Sequence, residues 1–182
     1  MMRHVQASAA LLAFLATTAL AHGPTPQKVN QSITIAAKPA AVWKVVGDFG
    51  RIATWNPALK ASEGVAGDRP GEAEGRRTLT FPSGAELVES LDEWNGGTFT
   101  YSYRMSDPEV KALPVSSYSA TLSVAPEGEG SKVTWSGRFY RGDTGNEPSE
   151  ELSDAAGRTA MDAFFGDGLK GLKAKVEGGA GH

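Results

Sequence analysis

Apolar and polar positions alternate from Val29 to Ile35. Val29, Gln31, Ile33 and Ile35 fall on one side and Asn30, Ser32 and Thr34 on the other, the two-residue period of a half-buried strand. The period then becomes helical: Pro39, Val42, Trp43 and Val46 share one apolar face, and Pro39 sits in a first turn where its missing N–H costs nothing. Gly47 ends that helix. A second short helix, Arg51 to Trp55, must stop before Pro57, because the residue preceding a proline is pushed out of the α region.

From Gly75 onward the pattern is that of antiparallel strands joined by glycine-rich turns. With Pro82, Ser83 and Gly84 as the first loop, Phe81 faces Ala85, Leu79 faces Leu87 and Arg77 faces Glu89, so the apolar sides coincide; a two-residue loop would oppose them. With Asn95, Gly96 and Gly97 as the next loop, Leu91 faces Tyr101, Glu89 faces Tyr103 and Leu87 faces Met105. Phe99, Tyr101, Tyr103 and Met105 form one apolar side of that strand. After a proline-containing loop at 106–115, Tyr118, Ala120, Leu122 and Val124 pair with Phe139, Gly137, Trp135 and Val133 around a turn at Glu127 to Gly130.

A last helix is expected from about Glu147 to Val176, with Met161, Phe164, Phe165, Leu169, Leu172 and Val176 as its apolar stripe, acids at its start and Lys170, Lys173 and Lys175 near its end. Gly157, Gly166, Gly168 and Gly171 each weaken it by up to ~1 kcal/mol relative to Ala, so packing must compensate. The pattern predicts an α+β domain in β-α-α-β6-α order: a curved antiparallel sheet of about seven strands on a long C-terminal helix. One such domain is expected over residues 29–176, between a flexible 22–28 segment and a frayed tail at 177–182.

Composition adds a compartment. Arg3, the apolar run Val5 to Leu20 and the small-x-small Ala19-Leu20-Ala21 have the form of a cleaved signal peptide, ending after Ala21. The run is short for a bilayer span, and no later stretch matches it. The expected mature chain is therefore exported, with no membrane span. A formal charge of −3 and scattered Lys and Arg argue against nucleic-acid binding. With no cysteine, stability must rest on a core. The expected mature chain keeps only the terminal His22 and His182, which excludes a rigid Ser-His-Asp triad and zinc sites built on His and Cys. No metal or cofactor is expected.

The words "PAAVWKVVGDFGRIATWNPAL" at 39–59 and "FFGDGLKGLK" at 164–173 resemble the START-like, or SRPBCC, superfamily of polyketide-cyclase-like helix-grip domains. The leader ending "ALAHGPTPQKV", the strands "LVESLDEW" and "FTYSYRM", "ALPVSSYSATLSV" and "GRFYRGDTGNEP" are similar to the MxaD-like periplasmic accessory proteins of bacterial methanol oxidation. The first resemblance implies a hydrophobic cavity between sheet and final helix that binds small apolar molecules and in some members supports catalysis. The second implies methanol dehydrogenase and its cytochrome c acceptor as partners, helped rather than replaced as catalysts.

On this reading the pocket candidates are Trp55, Arg77, Leu79, Leu87, Glu89, Tyr101, Tyr103, Tyr118, Phe164 and Phe165. The register sets Arg77, Glu89 and Tyr103 side by side on an otherwise apolar face, where a buried carboxylate needs a partner. The row is readable as an ion pair near a cavity rim reached by water, as an anchor for a ligand head group, or as a catalytic base at Glu89. Trp55, Asn56 and Pro57 fall where helix-grip proteins often close the pocket mouth; Trp43 and Trp135 are assigned to the core. Three functions follow: an accessory protein, a lipid or small-molecule carrier, and a cyclase-like enzyme.

The stretch "FYRGDTGNEPSEE" at 139–151 has an Arg-Gly-Asp string too short to signify adhesion. As a calcium loop starting at Asp143 it fails, because the third, sixth and twelfth positions are Gly145, Pro148 and Asp154. It is expected to open the last helix, where Glu147, Glu150 and Glu151 suit the helix dipole. Under the MxaD-like resemblance, Asp143, Asn146 and Glu147 would form an acidic docking surface.

Overall fold

The computed structural model describes residues 23–65 and 75–179; the expected leader and residues 180–182 lie outside them. Seven strands run in chain order as β1 (Gln27–Ile35), β2 (Ala61–Val65), β3 (Arg76–Thr80), β4 (Glu86–Asn95), β5 (Thr100–Asp107), β6 (Val115–Glu127) and β7 (Gly130–Arg141). Two α-helices, α1 (Pro39–Val46) and α2 (Asp154–Gly179), complete the order with 3-10 turns at Phe49–Thr54 and Glu150–Leu152. The strands form one sheet in the order β1-β7-β6-β5-β4-β3-β2, antiparallel at every step. Helix α2 lies against β1 and β7 on the inner side of this curved sheet, the helix-grip arrangement.

Two hairpins follow the register their apolar faces require. Phe81 N donates to Ala85 O, Leu79 lies opposite Leu87 and Arg77 opposite Glu89. Across β6 and β7, Tyr118 meets Phe139, Ala120 meets Gly137, Leu122 meets Trp135 and Val124 meets Val133. The β4–β5 hairpin departs from expectation: Leu91 faces Tyr103, Glu89 faces Met105 and Tyr101 faces Trp94. Asn95 is not in the loop but pairs with Thr100, and its side chain accepts hydrogen bonds from the amides of Gly97 and Thr98. Phe99 takes φ 52°, a conformation costly for an aromatic residue, and its ring packs 5.7 Å from that of Trp43. A bulge between Leu91 and Glu93 then leaves Asp92 unpaired in the ladder, free to engage Arg104.

Other differences are local. β1 begins at Gln27, two residues early. The expected short helix at 51–55 is a 3-10 turn kinked at Arg51, because the Ser62 hydroxyl inserts, accepting from Ala53 N and donating to Gly50 O. β2 has the sequence Ala-Ser-Glu-Gly-Val and no apolar alternation; its pairing with β3 is what makes it a strand. Helix α2 starts at Asp154 rather than near Glu147 and continues to Gly179. Its first turn is capped by Ser153, whose hydroxyl accepts from Ala156 N. Glu147 and Pro148 belong to the preceding loop.

The glycines of α2 are where the helix comes closest to its neighbours. A β-carbon on Gly168 would lie 2.8 Å from Asn56 Nδ2 and from the Trp135 ring, and one on Gly171 would collide with the carbonyl of Trp55. The helix therefore gives up intrinsic propensity for contact. Gly166 faces open space. Gly171→Ala is expected to destabilise the domain by ~1–3 kcal/mol through overpacking. Gly166→Ala is expected to stabilise it by up to ~1 kcal/mol. Urea unfolding of the two variants checks the pair, and equal effects would contradict this seating of the helix.

Candidate functional site

The first hairpin brings Arg77 on β3 against Glu89 on β4, and the 3-10 turn after α1 closes over both. Arg77 Nε donates to Glu89 Oε2, and the Tyr118 hydroxyl on β6 donates to Glu89 Oε1. Arg77 Nη1 donates to the carbonyl of Phe49 at 2.7 Å, and the guanidinium stacks 3.9 Å over the Phe49 ring and 4.9 Å from the Tyr103 ring. The Tyr103 hydroxyl accepts from Trp135 Nε1 at 2.9 Å. Arg77 and Glu89 thus pair as expected, but Tyr103, set opposite Leu91 rather than Glu89, meets the guanidinium instead and accepts from Trp135, and Glu89 takes its second bond from Tyr118.

The expected water-reached rim is absent at this cluster: Arg77 and Glu89 are both 0% exposed. Phe49 provides the physical reason, since its ring and carbonyl cover the guanidinium where water would otherwise stand. Burial opposes the Arg77 charge, but the adjacent Glu89 carboxylate holds its pKa above the ordinary value. Burial, reinforced by Glu89, raises the Tyr101 phenol to about 12 and those of Tyr103 and Tyr118 well above their usual value. These phenols are therefore neutral donors at physiological pH.

All ten pocket candidates are between 0 and 4% exposed. A void holding a water-sized sphere would appear as accessible surface on its walls, so in this conformation these side chains close on one another rather than around a hollow. Trp55, expected at a mouth, is buried edge-on to Trp135 at 5.6 Å, and Trp135 stacks on Phe165 at 4.1 Å. Phe164 packs against Phe81 at 5.9 Å, and its carbonyl accepts from the buried Asn56 amide. Leu79 and Leu87 complete the floor as a cross-strand pair. Trp55 Nε1 is buried without a hydrogen-bond partner among the described residues, whereas Arg77 Nη2 and the Tyr101 hydroxyl lack a well-aligned partner but interact with each other. The Trp55 donor is left with its desolvation uncompensated.

The second candidate surface lies beyond β7. Arg141, buried, donates from Nε to Asp143 O and from Nη2 to Gly145 O, and bridges to the Asp154 carboxylate at 3.2 Å. The Asp143 carboxylate accepts from the amides of Gly145 and Ser149. Asn146 and Glu147 are exposed, while Asp143 is half-buried in its turn. Sequence reasoning missed Phe49 and Arg141 because neither bears a motif: one acts through its carbonyl and ring face, the other by gathering carbonyls of its own loop.

Replacing one member of the buried pair, by Arg77→Met or Glu89→Leu, is expected to cost ~3–5 kcal/mol, because the survivor is left as an uncompensated buried charge. The double variant should lose less than the sum, and an additive double-mutant cycle in urea would refute the coupling. In the loop, the Gly145 and Ser149 amides hold the Asp143 carboxyl below its usual pKa. A depressed folded-state pKa stabilises the loop above the unfolded carboxyl value and loses that support as pH falls through the folded value. Protection of the Gly145 and Ser149 amides, relative to their intrinsic exchange rates, should therefore hold at pH 5 and fall as the carboxyl protonates below its usual pKa, whereas Asp143→Asn should remove that fall.

Comparison with known proteins agrees with this architecture. The model of the family described as polyketide cyclase / dehydrase and lipid transport matches residues 26–177. Among solved structures, a protein titled XoxI from Bacillus cereus is 27% identical with a TM-score of 0.69, covering 85% of this chain and 99% of its own. A protein from Bacillus thuringiensis is 26% identical with a TM-score of 0.67, covering 83% of this chain and 99% of its own. One from Thermus thermophilus, 21% identical with a TM-score of 0.66 over 85% of this chain and 99% of its own, shares the fold. No curated protein sequence matches. With its sheet, its grip on α2 and its family model agreeing over nearly the whole described domain, the chain belongs to the polyketide cyclase / dehydrase and lipid transport family.

Proposed function

We propose that this member of the family is an exported, non-catalytic accessory protein of methanol oxidation that assists the meeting of methanol dehydrogenase with its cytochrome c acceptor. The observation that carries the reading is the 143–151 segment. The stretch at 143–148 that resembles the MxaD-like proteins forms a surface loop held in shape from beneath by Arg141 and presents Asn146 and Glu147 to solvent, and Glu150 and Glu151 are exposed on the 3-10 turn that follows. A pre-shaped acidic loop gives a partner orientation and charge complementarity without an ordering cost at encounter. The state of Glu89 supports a non-catalytic role. Both of its oxygens are engaged by Arg77 and Tyr118, and no water reaches it, so it has no route to a substrate proton in this conformation.

A second reading, a carrier of a small hydrophobic ligand, is favoured by the buried Trp55 Nε1, which has no hydrogen-bond partner among the described residues. Such a ligand would need an acceptor on an apolar body, and the packing of Trp55 on Trp135 would have to open to admit it.

In an assay of electron transfer from methanol dehydrogenase to cytochrome c, addition of this protein should raise the rate, and the gain should shrink with salt. The Glu147→Lys, Glu150→Lys double variant should lose most of the gain while unfolding at an unchanged temperature. A rate indifferent to the protein would remove the accessory reading. Native mass spectrometry of the protein as purified then tests the carrier reading, since a bare mass in every preparation would count against it.

A further inference from the structure

The outer face of the sheet carries an open trough of about 450 Å³, within the volume range of small-molecule sites. Its floor follows the cross-strand line Val29, Gly137, Ala120 and Tyr103 from β1 to β5. The side chains of Val29, Ala120 and Tyr103 are buried on the inner side and Gly137 has none, so the floor is backbone. One wall is the neighbouring row Asn30, Ser136, Thr121 and Ser102, neutral and hydrogen-bonding along its whole length. The other begins with Lys28 and Arg138.

Those two cations stand directly opposite each other across β1 and β7. Their Cβ atoms are about 4.5–5.5 Å apart, and like charges so placed are destabilising. Neither has an acidic partner among the described residues. Asp92, the acid that lines the trough, is engaged by Arg104. The strand pair thus maintains an uncompensated double positive charge beside a wall of hydroxyl and amide groups. One row beyond Arg138 on the same side of β7, the Tyr140 ring is 37% exposed.

We propose that this trough binds a hydroxylated organic anion of the sugar-acid class. Its carboxylate bridges Lys28 and Arg138 and relieves their repulsion, and its hydroxyls exchange hydrogen bonds with Asn30, Ser136 and Thr121. An inorganic anion would use the cations and leave the neutral wall idle, and a neutral sugar would use the wall and leave the cations unrelieved. The site is on the opposite side of the sheet from the buried cluster and does not involve the 143–151 loop, so it stands or falls independently of the accessory reading.

The test is titration of the full chain with digalacturonate, read by backbone amide NMR shifts and by thermal unfolding, with lactose and sodium sulfate at matched ionic strength as comparisons. The proposal expects saturable shifts centred on Thr121, Ser136 and Arg138, a raised unfolding temperature, and binding at least tenfold weaker for lactose. Arg138→Gln and Lys28→Gln, both at exposed positions, should each weaken digalacturonate at least tenfold while the free protein unfolds no earlier. Thr121→Val should weaken it too, from the opposite wall. Absence of saturable shifts, equal affinity in Arg138→Gln, or sulfate reproducing the digalacturonate response would overturn it.

Discussion

The close approach of α2 to the sheet and to the 3-10 turn is the constraint on which the rest depends. Gly168 and Gly171 let the helix backbone settle against Asn56, Trp135 and the Trp55 carbonyl, where any β-carbon would hold it away. Only from that position do Phe164 and Phe165 reach Trp135 and Phe81 and close the interior. Asn56 then serves both neighbours, donating to the Phe164 carbonyl and accepting from Ala58 N. The helix loses intrinsic stability at its glycines and recovers it in aromatic contact, an exchange that ties the helix's existence to the domain's.

Inside that enclosure, the Arg77–Glu89 pair sets the chemical character of the core. A fully buried ion pair seldom contributes much net stability, but it punishes any arrangement that separates it, so it favours one packing over its alternatives. Phe49 and Tyr103 bring two adjoining rings against the guanidinium, and Tyr118 places a phenol on the carboxylate. Membership of a cyclase, dehydrase and lipid-transport family leaves both catalysis and carriage open. In this packing Glu89 is fully committed to Arg77 and Tyr118.

Much of the fold was legible because period and register are local matters. Leu79 against Leu87 and Leu122 against Trp135 follow from keeping apolar faces together across a short turn, and the same logic put Arg77 beside Glu89. It failed at β4–β5, where Asn95 folded its own side chain back onto the turn and the bulge at Asp92 shifted the partners of Leu91 and Glu89. β2 was illegible for a different reason: Ala-Ser-Glu-Gly-Val carries no pattern, and its strand state comes from β3 and the 3-10 turn beside it. In the candidate site, the inward-facing residues were readable, but Phe49 over the guanidinium and Tyr118 on Glu89 depend on contacts between distant segments.

Arg141 has a mechanical meaning beyond its hydrogen bonds. One buried guanidinium grips the carbonyls of Asp143 and Gly145 and the carboxylate of Asp154, the opening residue of α2. The acidic loop and the roof of the core are therefore clamped to a common anchor at the end of β7. A force applied to that loop would be passed through Arg141 to the first turn of the helix, so a surface segment and the packing beneath it share a hinge pin.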